Sequence, residues 1–127
     1  MNNPDIGKLI LRLALGIMLL LHGIDKLMGG VSGIAGMLES HGLPGWFAFG
    51  VFVGEVLAPL MVLIGVQTRV GAGLVVVNML FAIGLAHSNE IFALTGHGGW
   101  AIELQAFYLF SALALVFLGP GKYALKN

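Results

Sequence analysis

The chain has 127 residues, of which 58% are hydrophobic and only 9% are charged. Soluble globular domains carry about 25% charged residues, so this composition excludes that class and favours a single membrane domain. The formal net charge is zero and only six basic residues occur along the chain, which excludes a nucleic-acid-binding protein. There is no cysteine, so thiol chemistry is also excluded and any redox role must use a bound cofactor or a quinone.

Four apolar stretches predict four membrane-spanning helices, at about residues 9–27, 46–66, 70–86 and 100–118. A helix of about 20 residues crosses the hydrocarbon of a bilayer. Between the first two spans, apolar residues recur at helical spacing after Ser32, which predicts a short interfacial helix. The connections are short, so we expect an all-α, antiparallel four-helix membrane bundle formed by one domain, residues 1–127.

The basic residues predict the orientation of this bundle. Of the lysine and arginine residues, only Lys26 would lie on one side of the membrane. The other side would hold the N-terminal end, the turn between the second and third spans and the tail, with Lys8, Arg12, Arg69, Lys122 and Lys126. The positive-inside rule then places both termini in the cytoplasm. We expect Arg12, inside the first apolar stretch, to snorkel toward that surface.

The second span contains a single ionisable residue, Glu55, near its middle. An acid at this depth costs several kcal/mol unless it is protonated, paired or beside water, so Glu55 is a candidate functional residue. Pro59 has no N–H, which leaves the carbonyl of Glu55 without its helical donor. Gly50, Gly54 and Ala58 form a face of small residues that another helix, including one from a second copy of the chain, can approach closely.

The predicted topology gathers polar residues into a pocket that opens to the outer side of the membrane and has Glu55 at its floor. Asn78 and Tyr108 would lie deep, near mid-membrane. His22, Asp25 and Lys26 share one helix face by their i, i+3 and i+4 spacing. The remaining outer polar residues would be Glu39, His41, His87, Glu90, His97 and Glu103.

Two interpretations stay open for the main candidates. Glu55 either exchanges protons or binds a ligand, or it is a structural acid that hydrogen-bonds Asn78 or Tyr108 between helices. His22 either ends a helix at the interface or contacts a quinone and exchanges protons near neutral pH. Haem bound by His22 and His87 is disfavoured, because the chain has no attachment motif.

A metal at the outer mouth of the pocket is disfavoured as well. The side chains that would hold it are His22, His87 and His97 with Glu103 or Glu90, and their spacing matches no metal-binding motif.

Four sequence stretches together resemble the DoxX family of small membrane proteins. They are LRLALGIMLLLHGIDKLMGG, FVGEVLAPLMVLIGVQTR, AHSNE and GPGKYAL. The resemblance runs from Leu11 to Leu125 and implies a four-helix protein of the bacterial or archaeal cytoplasmic membrane, often labelled an oxidoreductase. It also implies links to a terminal quinol oxidase complex and to thiosulfate:quinone oxidoreductase. The positions that match the family motifs are His22, Gly23, Lys26, Glu55, Thr68, Arg69, His87, Gly119, Pro120 and Gly121.

These observations favour a quinone-linked oxidoreductase, or an accessory subunit of one, that works with a partner protein carrying the redox centre. Glu55 would exchange the proton, His22 or His87 would bond the quinone headgroup, and Lys26 would stabilise developing negative charge. Further ligand contacts would come from Asp25, Asn78, His87, Glu103 and Tyr108.

The alternatives are non-enzymatic. They are a small-molecule- or lipid-binding membrane protein, a transporter subunit, or a structural subunit of a larger membrane complex. In each case the expected partners are the lipid bilayer and either another membrane protein or further copies of the chain.

Overall fold

The computed structural model of the protein describes residues 3–30, 32–50, 52–86, 94, 99 and 101–125. Its regular elements are helices, which confirms the all-α class. They are α1 (Pro4–Gly29), α2 (Ser32–Ser40), a 3₁₀ helix (Gly45–Gly50), a π-helical turn (Val53–Leu57), α3 (Ala58–Ile64), α4 (Thr68–Ala86) and α5 (Glu103–Leu118).

Helix α1 is the longest element and has well-defined ends. The side chain of Asn3 accepts a hydrogen bond from the backbone N–H of Ile6 at 3.2 Å, and Pro4 occupies a first-turn position that needs no N–H donor. Gly30 ends the helix with a φ of +83°, and its N–H donates to the carbonyl of Lys26. With 26 residues, α1 is about 40 Å long and extends beyond the predicted span of 9–27.

In the described residues, the predicted second span is helical as far as Ile64 but is not one continuous α-helix. It runs from the 3₁₀ helix through the π-helical turn into α3. Within the turn, the N–H of Ala58 donates to the carbonyl of Val53, five residues back. Pro59 follows directly and has no N–H to donate to the carbonyl of Glu55. The π-helical turn therefore lies where the series of α-helical backbone hydrogen bonds is interrupted. Gly65 then ends α3 in the left-handed conformation.

The short helix predicted after Ser32 is present as α2. Its buried residue Leu38 packs against Ala48 of the 3₁₀ helix. The partly buried residues that join this small cluster are Ile34, Ala35, Leu43 and Phe52. Trp46, at the start of the predicted second span, is exposed beside this cluster. The helix is confirmed, and its position at a membrane interface stays a prediction.

The main core lies between α1, α3, α4 and α5. Helix α1 packs on α3 and α5, and α4 packs on the same two helices. The buried core residues are Leu15, Leu19, Ala58, Val62, Ala72, Val75, Met79, Tyr108, Ala112 and Leu115. Every one of the four helices therefore contributes to a single apolar cluster.

The face of small residues on the second span is largely used inside the chain. Gly54 lies directly against the side chain of Asn78 in α4. Ala58 is fully buried, and its carbonyl oxygen would lie 3.2 Å from a Cβ placed on Gly71. Gly50 has an open position, since a Cβ placed there would meet nothing within 4 Å. The prediction that this face could join two copies is wrong for Gly54 and Ala58, because α4 already covers them.

The outer surface of the helices is strongly apolar. Exposed large side chains occur on every long element, including Ile10, Ile17, Leu21, Leu57, Val77, Phe81, Phe107, Phe110 and Phe117. Soluble monomers rarely expose apolar patches larger than a few hundred Å². Two stretches, Pro4–Gly29 and Gly45–Ile64, are long and apolar enough to cross a membrane, whereas the apolar helices Thr68–Gly84 and Glu103–Leu118 are shorter. The four membrane crossings therefore stay a prediction.

Arg12 is buried rather than directed to the surface, so the predicted snorkelling is wrong. The residue is 1% exposed. The guanidinium donates to the carbonyls of Val62 at 2.9 Å and Leu63 at 3.0 Å, in the last turn of α3. It also donates to the carbonyls of Pro120 at 3.2 Å and Tyr123 at 2.6 Å. Carbonyls at a helix end have no partner within the helix, so they supply acceptors that hold Arg12 inside the protein.

Replacing Arg12 by Met should destabilise the protein strongly, by roughly 3 kcal/mol or more, because four carbonyls lose a charged donor. Arg12→Lys should recover little of this, since one ammonium cannot reproduce the planar arrangement of guanidinium donors. Arg69→Met provides the matched control, because Arg69 is exposed and surface substitutions usually stay within about 0.5 kcal/mol. Reversible unfolding in mixed detergent micelles measures all three, and equal losses for Arg12→Met and Arg69→Met would contradict the assignment.

Candidate functional site

The site is centred on the carboxylate of Glu55, which bonds two other segments of the chain. Its Oε1 lies 2.7 Å from Nζ of Lys26 in α1. Its Oε2 accepts a hydrogen bond of 3.0 Å from Nδ2 of Asn78 in α4. The Glu55 side chain is 7% exposed and that of Lys26 is 26% exposed. Both carboxylate oxygens are therefore engaged, and the acid is neutralised by a cation within an apolar surround.

The close approach of α1 to the Glu55 turn depends on Gly23. A Cβ on Gly23 would collide with the carbonyl group of Glu55 and would lie 2.9 Å from a methyl carbon of Val56. That carbonyl is the one whose helical donor is missing at Pro59. Lys26 follows Gly23 by three residues and so lies on the same face of α1. The glycine lets α1 approach near enough for Lys26 to reach the carboxylate.

Gly54 has the same effect on the other side of the site. A Cβ on Gly54 would collide with the side chain of Asn78, whose Oδ1 would lie 2.7 Å from it. Asn78 therefore occupies the space that any larger residue at position 54 would fill. Because Glu55 directly follows Gly54 in the chain, this packing holds the Asn78 amide beside the Glu55 carboxylate. Helix α4 can therefore donate the second hydrogen bond to Glu55.

An aromatic pair lies next to the ion pair. The rings of His22 and Tyr108 meet edge to face, with centroids 5.9 Å apart and an interplanar angle of 78°. Tyr108 is buried and lies within electrostatic range of Glu55. His22 is exposed and precedes Lys26 by four residues, one helical turn. The site thus has an exposed edge at His22 and a buried centre at Glu55.

The structure brings together five of the predicted site residues: Glu55, Lys26, Asn78, His22 and Tyr108. The Glu55–Asn78 hydrogen bond is one of the two structural contacts that the sequence suggested. Asp25 and Glu103 are both exposed and do not bond the Glu55 carboxylate. Glu103 lies instead beside Gly99, where a Cβ would be 2.9 Å from its Oε2.

The metal and haem alternatives depend on residues outside the described part of the chain. His87, Glu90 and His97 are among these residues. In the part that the structure describes, no three His, Asp or Glu side chains are grouped closely enough to hold a metal ion.

The predicted pocket above Glu55 also stays a prediction. A surface groove of about 460 Å³ runs along α5 instead. Its lining residues are Leu11, Glu103, Ala106, Phe107, Phe110, Ser111 and Ala114. The groove is apolar over most of its length and does not include the ion pair.

The sequence interpretation missed the pairing of Lys26 with Glu55. It placed Lys26 at the outer surface and Glu55 at mid-membrane, so the two charges were kept apart in depth. The signal was present, because acids inside apolar spans usually pair with another charged side chain. Lys26 is the single cation predicted for the outer side, and a lysine stem of four carbons can reach down along a helix.

In integral membrane proteins, charged side chains inside apolar helices are rare, and those that occur usually face the bundle interior and pair with one another. The chain belongs to the DoxX family, whose sequence profile matches residues 7–88. This range includes Lys26, Glu55 and Asn78. The predicted family is therefore confirmed, by a match that does not extend to the fourth motif, GPGKYAL.

The chain is also similar to a protein of Bacillus subtilis (strain 168) named "Putative oxidoreductase CatD". The two are 33% identical over 81 residues, which are 64% of this chain and 55% of that protein. The chain thus aligns with about half the length of this relative. No solved structure matches the chain.

Replacing Gly23 by Ala should push α1 away from the Glu55 turn and weaken the Lys26–Glu55 ion pair. We expect a loss of about 1–3 kcal/mol, the usual cost of adding a methyl group to a packed contact. Gly7→Ala is the matched control in the same helix, since a Cβ at position 7 would meet nothing within 4 Å, and it should stabilise the helix by up to about 1 kcal/mol. Unfolding in mixed micelles compares the two, and a Gly23→Ala variant as stable as Gly7→Ala would refute the close approach.

Proposed function

We propose that the chain is a membrane-embedded component of a quinone-linked redox system, with Glu55, Lys26 and His22 as the residues that handle protons and the quinone headgroup. The observation that carries this proposal is the 2.7 Å ion pair between Lys26 and Glu55, set among apolar helices beside an exposed histidine. Replacing a buried ion pair by hydrophobic residues is often neutral or stabilising. The presence of the Lys26–Glu55 ion pair among apolar helices therefore favours a chemical role for it over a purely stabilising one.

The available side chains suit the chemistry of a quinone. Its two carbonyl oxygens need hydrogen-bond donors, and the His22 imidazole and the partly exposed Lys26 ammonium are donors near the surface of the site. Reduction to a quinol consumes two electrons and two protons. Lys26 would stabilise negative charge on the headgroup oxygen, Glu55 would exchange a proton, and His22 would renew that proton from the aqueous side.

The electrons in this proposal come from a partner protein. The chain has no cysteine for a thiol or iron–sulfur centre, and its sequence has no motif that would attach a cofactor covalently. A redox centre on a second membrane protein then supplies the two electrons. The name of the B. subtilis relative supports a redox role for this family member.

The membrane arrangement is part of the same proposal. We place four crossings in the bacterial or archaeal cytoplasmic membrane, with both termini in the cytoplasm and the His22 edge on the outer side. Family membership, the two apolar helices of spanning length and the apolar exterior support this arrangement. The distribution of lysine and arginine sets its direction.

A second candidate function is that of a structural subunit. It is favoured by the full engagement of the Glu55 carboxylate, which joins the π-helical turn to both α1 and α4. In that role the acid contributes interhelical bonding and exchanges no proton. Binding of a lipid or another small molecule is a further alternative, favoured by the apolar groove along α5.

Quinone binding separates these candidates. The protein would be extracted gently from its own membrane, and bound quinone would be identified by native mass spectrometry and titrated with short-chain ubiquinone and menaquinone analogues. The test variant is the double substitution Lys26→Met with Glu55→Met, which removes both charges together and so avoids leaving one unpaired. Lys8→Met is the control, because it removes a lysine at the other end of the same helix.

We expect wild type and Lys8→Met to bind quinone equally, and the double variant to bind at least tenfold more weakly, a loss of about 1.4 kcal/mol. Unchanged quinone binding in the double variant would refute the proposal. A wild-type protein that binds no quinone, with a double variant that no longer assembles normally, would favour the structural subunit.

A further inference from the structure

A second charged region lies at the end of α1 opposite to Lys26. Three cations from separate parts of the chain converge there on the turn Gly119-Pro120-Gly121: Lys8 of α1, Arg69 of α4 and Lys122 of the C-terminal segment. We propose that these three side chains bind the phosphate group of an anionic phospholipid. This inference depends on placement in a membrane and is independent of the function proposed for Glu55.

The two glycines of the turn lie against two of the cations. A Cβ on Gly119 would lie 2.8 Å from Nη2 and 3.0 Å from Nε of Arg69. A Cβ on Gly121 would lie 3.3 Å from Cδ of Lys8. Both glycines have positive φ, 75° and 76°, a conformation that other residues rarely adopt. The turn is therefore packed between Arg69 and Lys8, and Lys122 follows it directly.

One acid, Asp5, lies at the same turn and offsets part of this charge, but in the described part of the chain it forms no ion pair with the three cations. The nearby carboxylate of Asp5 accepts a hydrogen bond of 3.1 Å from the backbone N–H of Lys122. The ammonium of Lys122 lies 5.3 Å from the ring centroid of Tyr123. Arg69 and Lys122 are exposed and Lys8 is partly exposed. The region therefore presents several donors and an excess of positive charge to the surroundings.

The turn is also held in place. Buried Arg12 donates to the carbonyls of Pro120 and Tyr123, and the N–H of Leu125 donates to the carbonyl of Ile64 at 3.1 Å. A topology signal depends on the number of basic residues near the ends of spans and does not require them to meet at one fixed turn. Basic side chains around a turn held in place instead suit the binding of a phosphate group, because arginine and lysine donate hydrogen bonds to phosphate oxygens.

The surroundings of the cluster favour a lipid over free phosphate. Apolar side chains are exposed beside it on α1 and at the end of α5: Ile6, Ile10, Phe117 and Leu118. A phospholipid offers a phosphate to the cations and acyl chains to these neighbours, whereas inorganic phosphate uses the cations alone. Basic clusters next to membrane spans attract anionic lipids, with about a fivefold gain in affinity for each basic residue.

The test uses the full-length protein in nanodiscs of phosphatidylcholine with increasing phosphatidylglycerol, and native mass spectrometry of the lipids retained. The test variant combines Lys8→Gln, Arg69→Gln and Lys122→Gln. The matched control, Lys8→Arg with Arg69→Lys and Lys122→Arg, keeps the charge. Both variants change side chains at the surface, so unfolding measurements should find them folded, and the single variant Arg69→Gln gives a milder version of the same test.

We expect wild type and the charge-preserving variant to retain phosphatidylglycerol in preference to phosphatidylcholine. The triple glutamine variant should lose this preference by about a hundredfold, and Arg69→Gln by about fivefold. Retention of phosphatidylglycerol by the triple glutamine variant at the wild-type level would overturn the proposal. Displacement of the lipid by inorganic phosphate at equal concentration would overturn the choice of a lipid, and assign the site to free phosphate.

Discussion

A charge among apolar helices must find a partner inside the protein, and the arrangement of this chain follows from how Glu55 does so. Its carboxylate bonds Lys26 at 2.7 Å and Asn78 at 3.0 Å, which ties α1, the π-helical turn and α4 to one point. These bonds require close approach of the backbones, and Gly23 and Gly54 permit it because neither has a Cβ. An unpaired acid in the same position would cost several kcal/mol, so the ion pair and the helix packing depend on each other.

Arg12 meets the same constraint with different chemistry. It has no acid bonded to it among the described residues and donates instead to four backbone carbonyls at the end of α3 and in the C-terminal segment. Glu55 and Arg12 thus organise the two ends of the molecule, with the apolar core between them. One end carries an ion pair with an exposed histidine, which suits exchange of protons with a ligand. The other end is braced and strongly positive, which suits contact with anionic headgroups.

The sequence was sufficient for the helical class, for α2 and for Glu55 as the central polar residue, because apolar periodicity and the cost of a buried acid are local signals. It was insufficient for contacts that depend on how helices lie side by side. Lys26 and Arg12 were both assigned to surfaces, since spacing along a helix gives depth and says little about the reach of a long side chain. The small residues at 54 and 58 were recognised as a packing face, but their partner α4 follows only from the structure.

The most direct test of the central claim is a double-mutant cycle on the ion pair. Unfolding in mixed micelles would be measured for wild type, Glu55→Gln, Lys26→Met and the double variant. Lys26→Met leaves the buried Glu55 carboxylate without its cation and should cost roughly 2 kcal/mol or more. Glu55→Gln leaves only the partly exposed Lys26 ammonium without its partner and should cost less, and the double variant should cost clearly less than the sum of the two. A coupling of at least about 1 kcal/mol is the predicted result. Additive losses would contradict the account, because they would mean that Glu55 and Lys26 stabilise the protein independently.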